Sequence, residues 1–237
     1  MSELLYQGDG YLRECTARVI AADEHGVQLD RTVFYAAGGG QPGDRGRLVL
    51  PDGSELEIVD TRKGDTIGSV VHVPASTFST DIVGTEVTAV IDWERRHRLM
   101  RMHTCMHLLS VVIPAEVTGG SIRDGSGRLD FDFPEPLQDK ERLTRELNRL
   151  VEEDLPVETI WVTDEELAAR PDLVKTMSVK PPSGQGRVRL LAIGDVDLQA
   201  CGGTHVARTG EIGEVVVTKV EKKGRHNRRV NVAFAPS

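Results

Sequence analysis

The chain has 237 residues, 39% hydrophobic and 28% charged, with a net charge of −8, an ordinary globular composition for one large domain or two small ones. No apolar run approaches the roughly 20 residues of a membrane span, and the opening MSELLYQGDG has neither a basic leader nor a long apolar stretch, so neither a membrane anchor nor a secretory signal is expected. Three scattered cysteines (Cys15, Cys105 and Cys201) are too few for a disulfide framework, which points to a reduced, cytoplasmic chain.

The first 90 residues read as β. Short β-branched runs at Tyr11–Ala21, Val27–Phe34, Arg47–Leu50, Leu56–Thr61, Ser69–Val73 and Glu86–Asp92 are separated by Gly, Pro, Asp and Ser. That spacing predicts a small barrel or sandwich. Asp92 is a candidate helix cap, and Leu99, Met102, Met106, Leu109 and Ile113 then recur at steps of three and four, with Pro114 as the stop. Val117–Ile122 and Arg128–Phe133 flank a hairpin signal at Asp124-Gly125-Ser126-Gly127. Leu143, Leu147, Leu150 and Val151 predict a second helix, and Pro156–Val162 a strand. Thr163 and Glu166 form a capping box that opens a short helix. Pro and Gly residues mark Met177–Gly186 as a mobile loop. Arg187–Ile193, Glu214–Val220 and Arg229–Phe234 close the chain as strands. The expected fold class is α+β: an N-terminal β-barrel-like domain over residues 1–92, then an α+β domain over 93–237 with helices packed on an antiparallel sheet.

Charge is unevenly spread. Residues 1–90 carry a net −7 and residues 124–166 a net −9. Cations gather at Arg95, Arg96, Arg98 and Arg101, and again at Lys219, Lys222, Lys223, Arg225, Arg228 and Arg229. The global acidity argues against a generic nucleic-acid binder, while the local runs suit a phosphate-bearing partner or simply solvated faces.

Two short motifs carry chemistry. His103-Thr104-Cys105-Met106-His107 places two imidazoles one helical turn apart, where they can share a metal ion. Cys201-Gly202-Gly203-Thr204-His205 follows a strand-like stretch, and its glycines let thiol and imidazole converge. His, His, Cys and His form a donor set suited to tetrahedral zinc. The alternatives are two chance pairs, or Cys201 as a nucleophile beside a histidine. No Glu follows His103, so the metalloprotease pattern is absent. Cys105 points at a different angle and is expected to pack. The run Gly38-Gly39-Gly40-Gln41-Pro42-Gly43-Asp44 lacks the Lys and the helix of a phosphate loop, so it is read as a tight, irregular β connection.

These paired motifs resemble those of the alanyl-tRNA editing proteins, the AlaX family, and are similar to the editing domain of alanyl-tRNA synthetase and the second additional domain of threonyl-tRNA synthetase. Arg128-Leu129-Asp130-Phe131-Asp132-Phe133 and Gly210-Glu211-Ile212-Gly213 extend the likeness, and Phe34 to Asp44 resembles the Gly-rich signature of the medium-length members. The chain departs from the family pattern at Cys105 and Met106, at Thr118-Gly119-Gly120-Ser121 and at 224–229, which bears on substrate preference.

The resemblance implies a deacylase acting in trans on the aminoacyl-tRNA ester, with seryl-tRNA(Ala) first and glycyl-tRNA(Ala) second. A non-catalytic zinc-stabilised tRNA-binding module, or the same fold acting on another mischarged tRNA, is the alternative. His103, His107, Cys201 and His205 would be both catalytic and zinc-binding. Thr118 is the candidate for reading the serine hydroxyl, and Gly202, Gly203 and Thr204 for contacts near the ester. Arg101, Lys219, Lys222, Arg228 and Arg229 are candidates for phosphates of the tRNA(Ala) acceptor end.

Overall fold

The computed structural model describes residues 1–134, 139–169 and 186–236. Two compact units divide the chain, Met1–His97 and Arg98–Ser237. The expected loop at Met177–Gly186 lies, apart from Gly186, outside the described residues.

In the first unit, six strands close into an antiparallel barrel. They are β2 (Glu14–Asp23), β3 (Gly26–Leu29), β5 (Gly46–Val49), β6 (Glu55–Lys63), β7 (Val70–Pro74) and β8 (Glu86–Ile91), in the order β2-β3-β7-β6-β5-β8, with β8 pairing back onto β2. Alternate residues fill the interior: Val19, Leu29, Leu48, Ile58 and Ala89 are essentially inaccessible, as is Phe34. Outside the barrel, β1 (Glu3–Leu4) pairs in parallel with β4 (Arg31–Thr32).

The run Val27–Phe34 is not one strand. Asp30 interrupts it: its carboxylate accepts the Arg18 N–H at 2.8 Å while its own N–H donates to the Arg18 carbonyl. A side chain that bonds backbone in this way competes with the strand ladder. The Gly-rich run is a tight turn, as its composition predicts. Gly38 and Gln41 exchange backbone bonds of 3.0 and 2.9 Å, and Gly39 and Gly40 both adopt left-handed φ, 57° and 84°. Behind the turn, Asp44 accepts from the Tyr35 N–H at 2.7 Å and pairs with the guanidinium of Arg96. Both side chains are buried, and Arg96 donates further to the carbonyls of Gly10 and Val33.

Helix α1 (Trp93–Val112) starts where expected. Asp92 Oδ1 accepts the Arg95 N–H at 3.0 Å, and the helix stops before Pro114. The sequence predicts one apolar face, but the structure buries every residue of α1 from Leu99 to Ser110 except the half-buried Arg101. The second unit supplies the reason, because it packs against several faces of the helix at once. Met102 and Met106 lie against Gly127, where a Cβ would come within 2.9 Å of the Met106 sulfur. Thr104 meets His205, and His107 meets Asp197.

That unit contains two antiparallel sheets. One has the order β14-β15-β10-β9, from β9 (Glu116–Arg123), β10 (Ser126–Asp132), β14 (Val215–Lys222) and β15 (Asn227–Phe234). The other is β11-β12-β13, from β11 (Val157–Thr163), β12 (Arg187–Ile193) and β13 (Asp197–Ala200). Helix α2 (Lys140–Glu152) buries Leu143, Leu147, Leu150 and Val151. Its Asn148 caps the edge of β14, accepting the Val215 N–H at 3.0 Å and donating to the Val215 carbonyl at 2.8 Å. Helix α3 (Asp164–Ala168) opens on the predicted capping box: Thr163 Oγ1 accepts the Glu166 N–H and Glu166 accepts the Thr163 N–H. The fold is α+β with an N-terminal barrel, and no described helix is long and apolar enough to cross a membrane.

Candidate metal centre

Helix α1 and the turn after β13 bring His103, His107, Cys201 and His205 together. One ligand-type atom from each lies within 4.8 Å of all the others. Cys201 Sγ is the hub, 3.2 Å from His205 Nε2 and 3.6 Å from His103 Nε2. The three imidazole rings pack with centroids 4.2 to 5.3 Å apart and are buried, while Cys201 is half-buried.

The polar neighbours orient these donors. The Thr104 hydroxyl gives its one hydrogen to the Met100 carbonyl at 3.1 Å. Its oxygen therefore accepts from the Val206 N–H at 3.3 Å and from His205 Nδ1 at 3.2 Å. His205 thus carries its proton on Nδ1 and turns the Nε2 lone pair toward Cys201. On the other side, His107 Nδ1 lies 3.1 Å from Asp197 Oδ2, which leaves Nε2 for the centre. Gln199 Nε2 donates to the same Asp197 oxygen at 2.7 Å and holds the carboxylate in place. Carboxylate and hydroxyl partners behind ligating histidines fix tautomer and ring orientation.

Electrostatics favour the metal-binding forms of Cys201 and His205. Burial would raise the Cys201 thiol, but the neighbouring His103 and His205 outweigh it and hold it well below its ordinary range. Burial, reinforced by His103, keeps His205 neutral. For His107, burial pulls downward and hydrogen bonds to Asp197 and Cys201 prevail, raising it to about 9. By contrast, burial alone pushes Cys105 up to about 12, as expected of a packing thiol.

The donor set fits zinc. Bond lengths of about 2.0–2.3 Å imply tetrahedral edges of roughly 3.5 Å. The Sγ–Nε2 separations of 3.2 and 3.6 Å already match.

The remaining expected site residues fall in three groups. Gly202, Gly203 and Thr204 bridge Cys201 and His205. Gly202 is exposed, with no atom beyond its chain neighbours within 4 Å of where a Cβ would stand, whereas Thr204 is buried. Thr118 is the extra residue of a bulge in β9, half-buried, and donates to the Asp130 carbonyl at 3.2 Å. The basic residues divide. Arg101 donates twice to the Ile212 carbonyl, at 2.9 and 2.7 Å, and covers the Phe234 ring. Arg228 is buried against backbone carbonyls, including Pro134 at 2.7 Å, and Arg229 forks onto Asp130 at 2.6 and 2.9 Å. Lys219 and Lys222 are exposed, with Lys219 paired to Glu221 at 2.9 Å.

Sequence reasoning missed Thr104, Asp197 and Gln199 as part of the site. The one available signal was alternation along β13, which puts Asp197, Gln199 and Cys201 on one face.

Two family models match the chain: the threonyl and alanyl tRNA synthetase second additional domain over residues 188–231, and the class II (A) tRNA synthetases over residues 10–95. The alanyl-tRNA editing protein AlaX-M of Saccharolobus solfataricus is 34% identical over 100% of both chains. That of Methanosarcina acetivorans is 36% identical over 97% of this chain and 98% of its own. An alanine–tRNA ligase of Saccharolobus islandicus is 34% identical over 93% of this chain, which corresponds to 25% of the ligase. With full-length similarity to AlaX-M and the paired histidine and cysteine motifs assembled into one centre, the chain belongs to the alanyl-tRNA editing protein AlaX family, of the medium-length type.

Proposed function

We propose that this centre hydrolyses the ester of a mischarged tRNA in trans, with seryl-tRNA(Ala) as the preferred substrate and glycyl-tRNA(Ala) as the second. The observation that carries the reading is the convergence of His103, His107, Cys201 and His205 in a chain of an editing-protein family. Water adds to the ester carbonyl and the bond to the ribose oxygen breaks. The ribose oxygen keeps one proton of the water, and the amino acid leaves as a carboxylate, releasing the other to solvent. Zinc, when bound, polarises a carbonyl or lowers the pKa of water to about 7.

The chain's own residues supply the geometry. His103, His107, Cys201 and His205 would hold the ion, Thr104 and Asp197 set two of the tautomers, and the exposed Gly202, next to Cys201, has open space where a side chain would stand. A polar contact from Thr118 to the serine hydroxyl would reject alanine by about 10⁴-fold, since the site's polar group would otherwise stay unpaired. Lys219 and Lys222 offer exposed charge to the acceptor end of tRNA(Ala), with Arg228 and Arg229 on the paired strand β15, while Arg101 stands at the other end of that strand pair, over Phe234. The chemistry is assigned to residues 93–237 and tRNA choice to residues 1–92. Free thiols at Cys15, Cys105 and Cys201 suit the cytoplasm.

A complete four-donor shell also suits a structural zinc in a non-catalytic tRNA-binding module. Release of serine from seryl-tRNA(Ala) by the purified protein separates the two readings. Hydrolysis that is lost in His103→Ala supports deacylation at this centre. Tight tRNA binding without hydrolysis overturns it in favour of the binding module.

A further inference from the structure

The β11-β12-β13 sheet carries a ledge beside the centre. Trp161 pairs with Arg189, and the next register step joins Arg189 to Cys201, whose N–H donates to the Arg189 carbonyl at 3.1 Å. Residues opposite one another in antiparallel strands share a face, so Trp161, Arg189 and Cys201 form one row. On this face Leu191, Asp197 and Gln199 are buried, but on the edge strand β11 Thr159 is exposed and Trp161 is 44% exposed. Two strand spacings put the Trp161 backbone about 10 Å from that of Cys201. Arg189 fills the interval. It donates to the carbonyls of Cys201 and Gly203 at 2.9 and 2.8 Å and to Thr159 Oγ1 at 3.0 Å. The ledge is thus tied to the turn that positions the thiol.

We propose that Trp161 is a binding residue for the terminal adenosine of the tRNA substrate, its indole stacking on the adenine while the ester on the same ribose reaches the Cys201 centre. This rests on the deacylase reading above. Ester and base hang on one ribose, so a nucleoside whose ester meets Cys201 carries its base onto the ledge. Stacking on an exposed indole suits a base that is the same in every tRNA, because it needs no hydrogen-bond readout.

In a Trp93→Phe background, Trp161 is the single tryptophan. Its emission is followed as a minihelix ending in CCA, or the same minihelix with an abasic terminal nucleotide, is added. Quenching by the first, and binding of the second weaker by roughly fivefold or more, is expected. In parallel, Trp161→Ala should raise KM for seryl-tRNA(Ala) by roughly 5- to 100-fold with kcat within about twofold, and Trp161→Phe should recover most of the loss. Equal quenching by the two RNAs, or an unchanged KM in Trp161→Ala, overturns the proposal. So does Trp161 emission that shifts with protein concentration when no RNA is present, which would assign β11 to a second copy of the chain. A wild type that hydrolyses no aminoacyl-tRNA defeats the deacylase reading instead, and the emission measurement still decides the stack.

Discussion

Thr104 and His205 lie 101 residues apart in the chain, and the hydroxyl of one sets the tautomer of the other across 3.2 Å. Thr104 spends its single hydrogen on Met100, so it can only accept from the imidazole. Thr104→Val should therefore lower zinc affinity by roughly 10- to 100-fold, and Thr104→Ser should restore most of it. Competition against a chromogenic chelator measures both. Equal affinity in Thr104→Val and wild type would show that the tautomer is set elsewhere.

The ligand set makes a stoichiometric prediction. Protein purified without added zinc should carry close to one ion per chain, and His103→Ala or His205→Ala should lower that content, read by elemental analysis. Full retention in both variants would remove these residues from the shell. A metal-free wild type that still deacylates would restrict the ion to a non-catalytic role.

Selectivity is tested at Thr118. Its hydroxyl hydrogen goes to the Asp130 carbonyl, which leaves the oxygen free to accept from a serine hydroxyl. Thr118→Val keeps the shape and removes that acceptor. Hydrolysis of seryl-tRNA(Ala) should lose roughly 1–3 kcal/mol of transition-state stabilisation, with alanyl-tRNA(Ala) unchanged or faster. Equal losses on both substrates would assign Thr118 to the scaffold.

His72 predicts a pH dependence of stability within the barrel. Its Nδ1 donates to the Val27 carbonyl at 2.9 Å, so Nε2 accepts from the Thr32 hydroxyl at 2.8 Å, and that hydroxyl in turn accepts the Phe34 N–H. Burial pushes the imidazole down to about 4, against about 6.5 in the unfolded chain. Between these values the unfolded chain binds a proton that the folded one does not. The contribution is fully present above pH about 6.5 and falls by about 3 kcal/mol as pH drops toward 4. Denaturant titrations of wild type and His72→Gln across that window should differ in slope, with the variant flatter. Identical slopes would refute the assignment.

Local signals were the most legible part of the chain. The Asp92 cap, the Thr163–Glu166 box and the strand at Arg187–Ile193 all stand where their residue types placed them. The four-donor centre was legible because His and Cys at those spacings have few uses on a packed helix and a Gly-rich turn. What lay behind it was not. Asp197 and Thr104 join the site only through strand register and helix phase, which no local pattern reports. The fate of each cation was not legible for a related reason. Arg96 pairs with Asp44, 52 residues away, and Arg229 with Asp130, 99 residues away, while Lys219 and Lys222 stay exposed, so clustering in sequence did not say which charges the fold itself would use. Asp30 shows the same limit within one strand, since its bond to Arg18 depends on the neighbouring strand of the barrel.

The place of β15 has a consequence for the order of events during synthesis. In its sheet β15 lies between β14 and β10, so the β9–β10 hairpin, whose Gly127 seats Met102 and Met106 of α1, has no partner on its inner edge until the chain is made through Phe234. Pairings of such long sequence separation form late, after a large loop-closure cost. A ribosome-bound chain that already displays all four donors therefore still lacks the sheet that seats the helix of His103 and His107, and a hydrolytic centre built on them would arrive abruptly with β15 rather than accumulate as the chain grows.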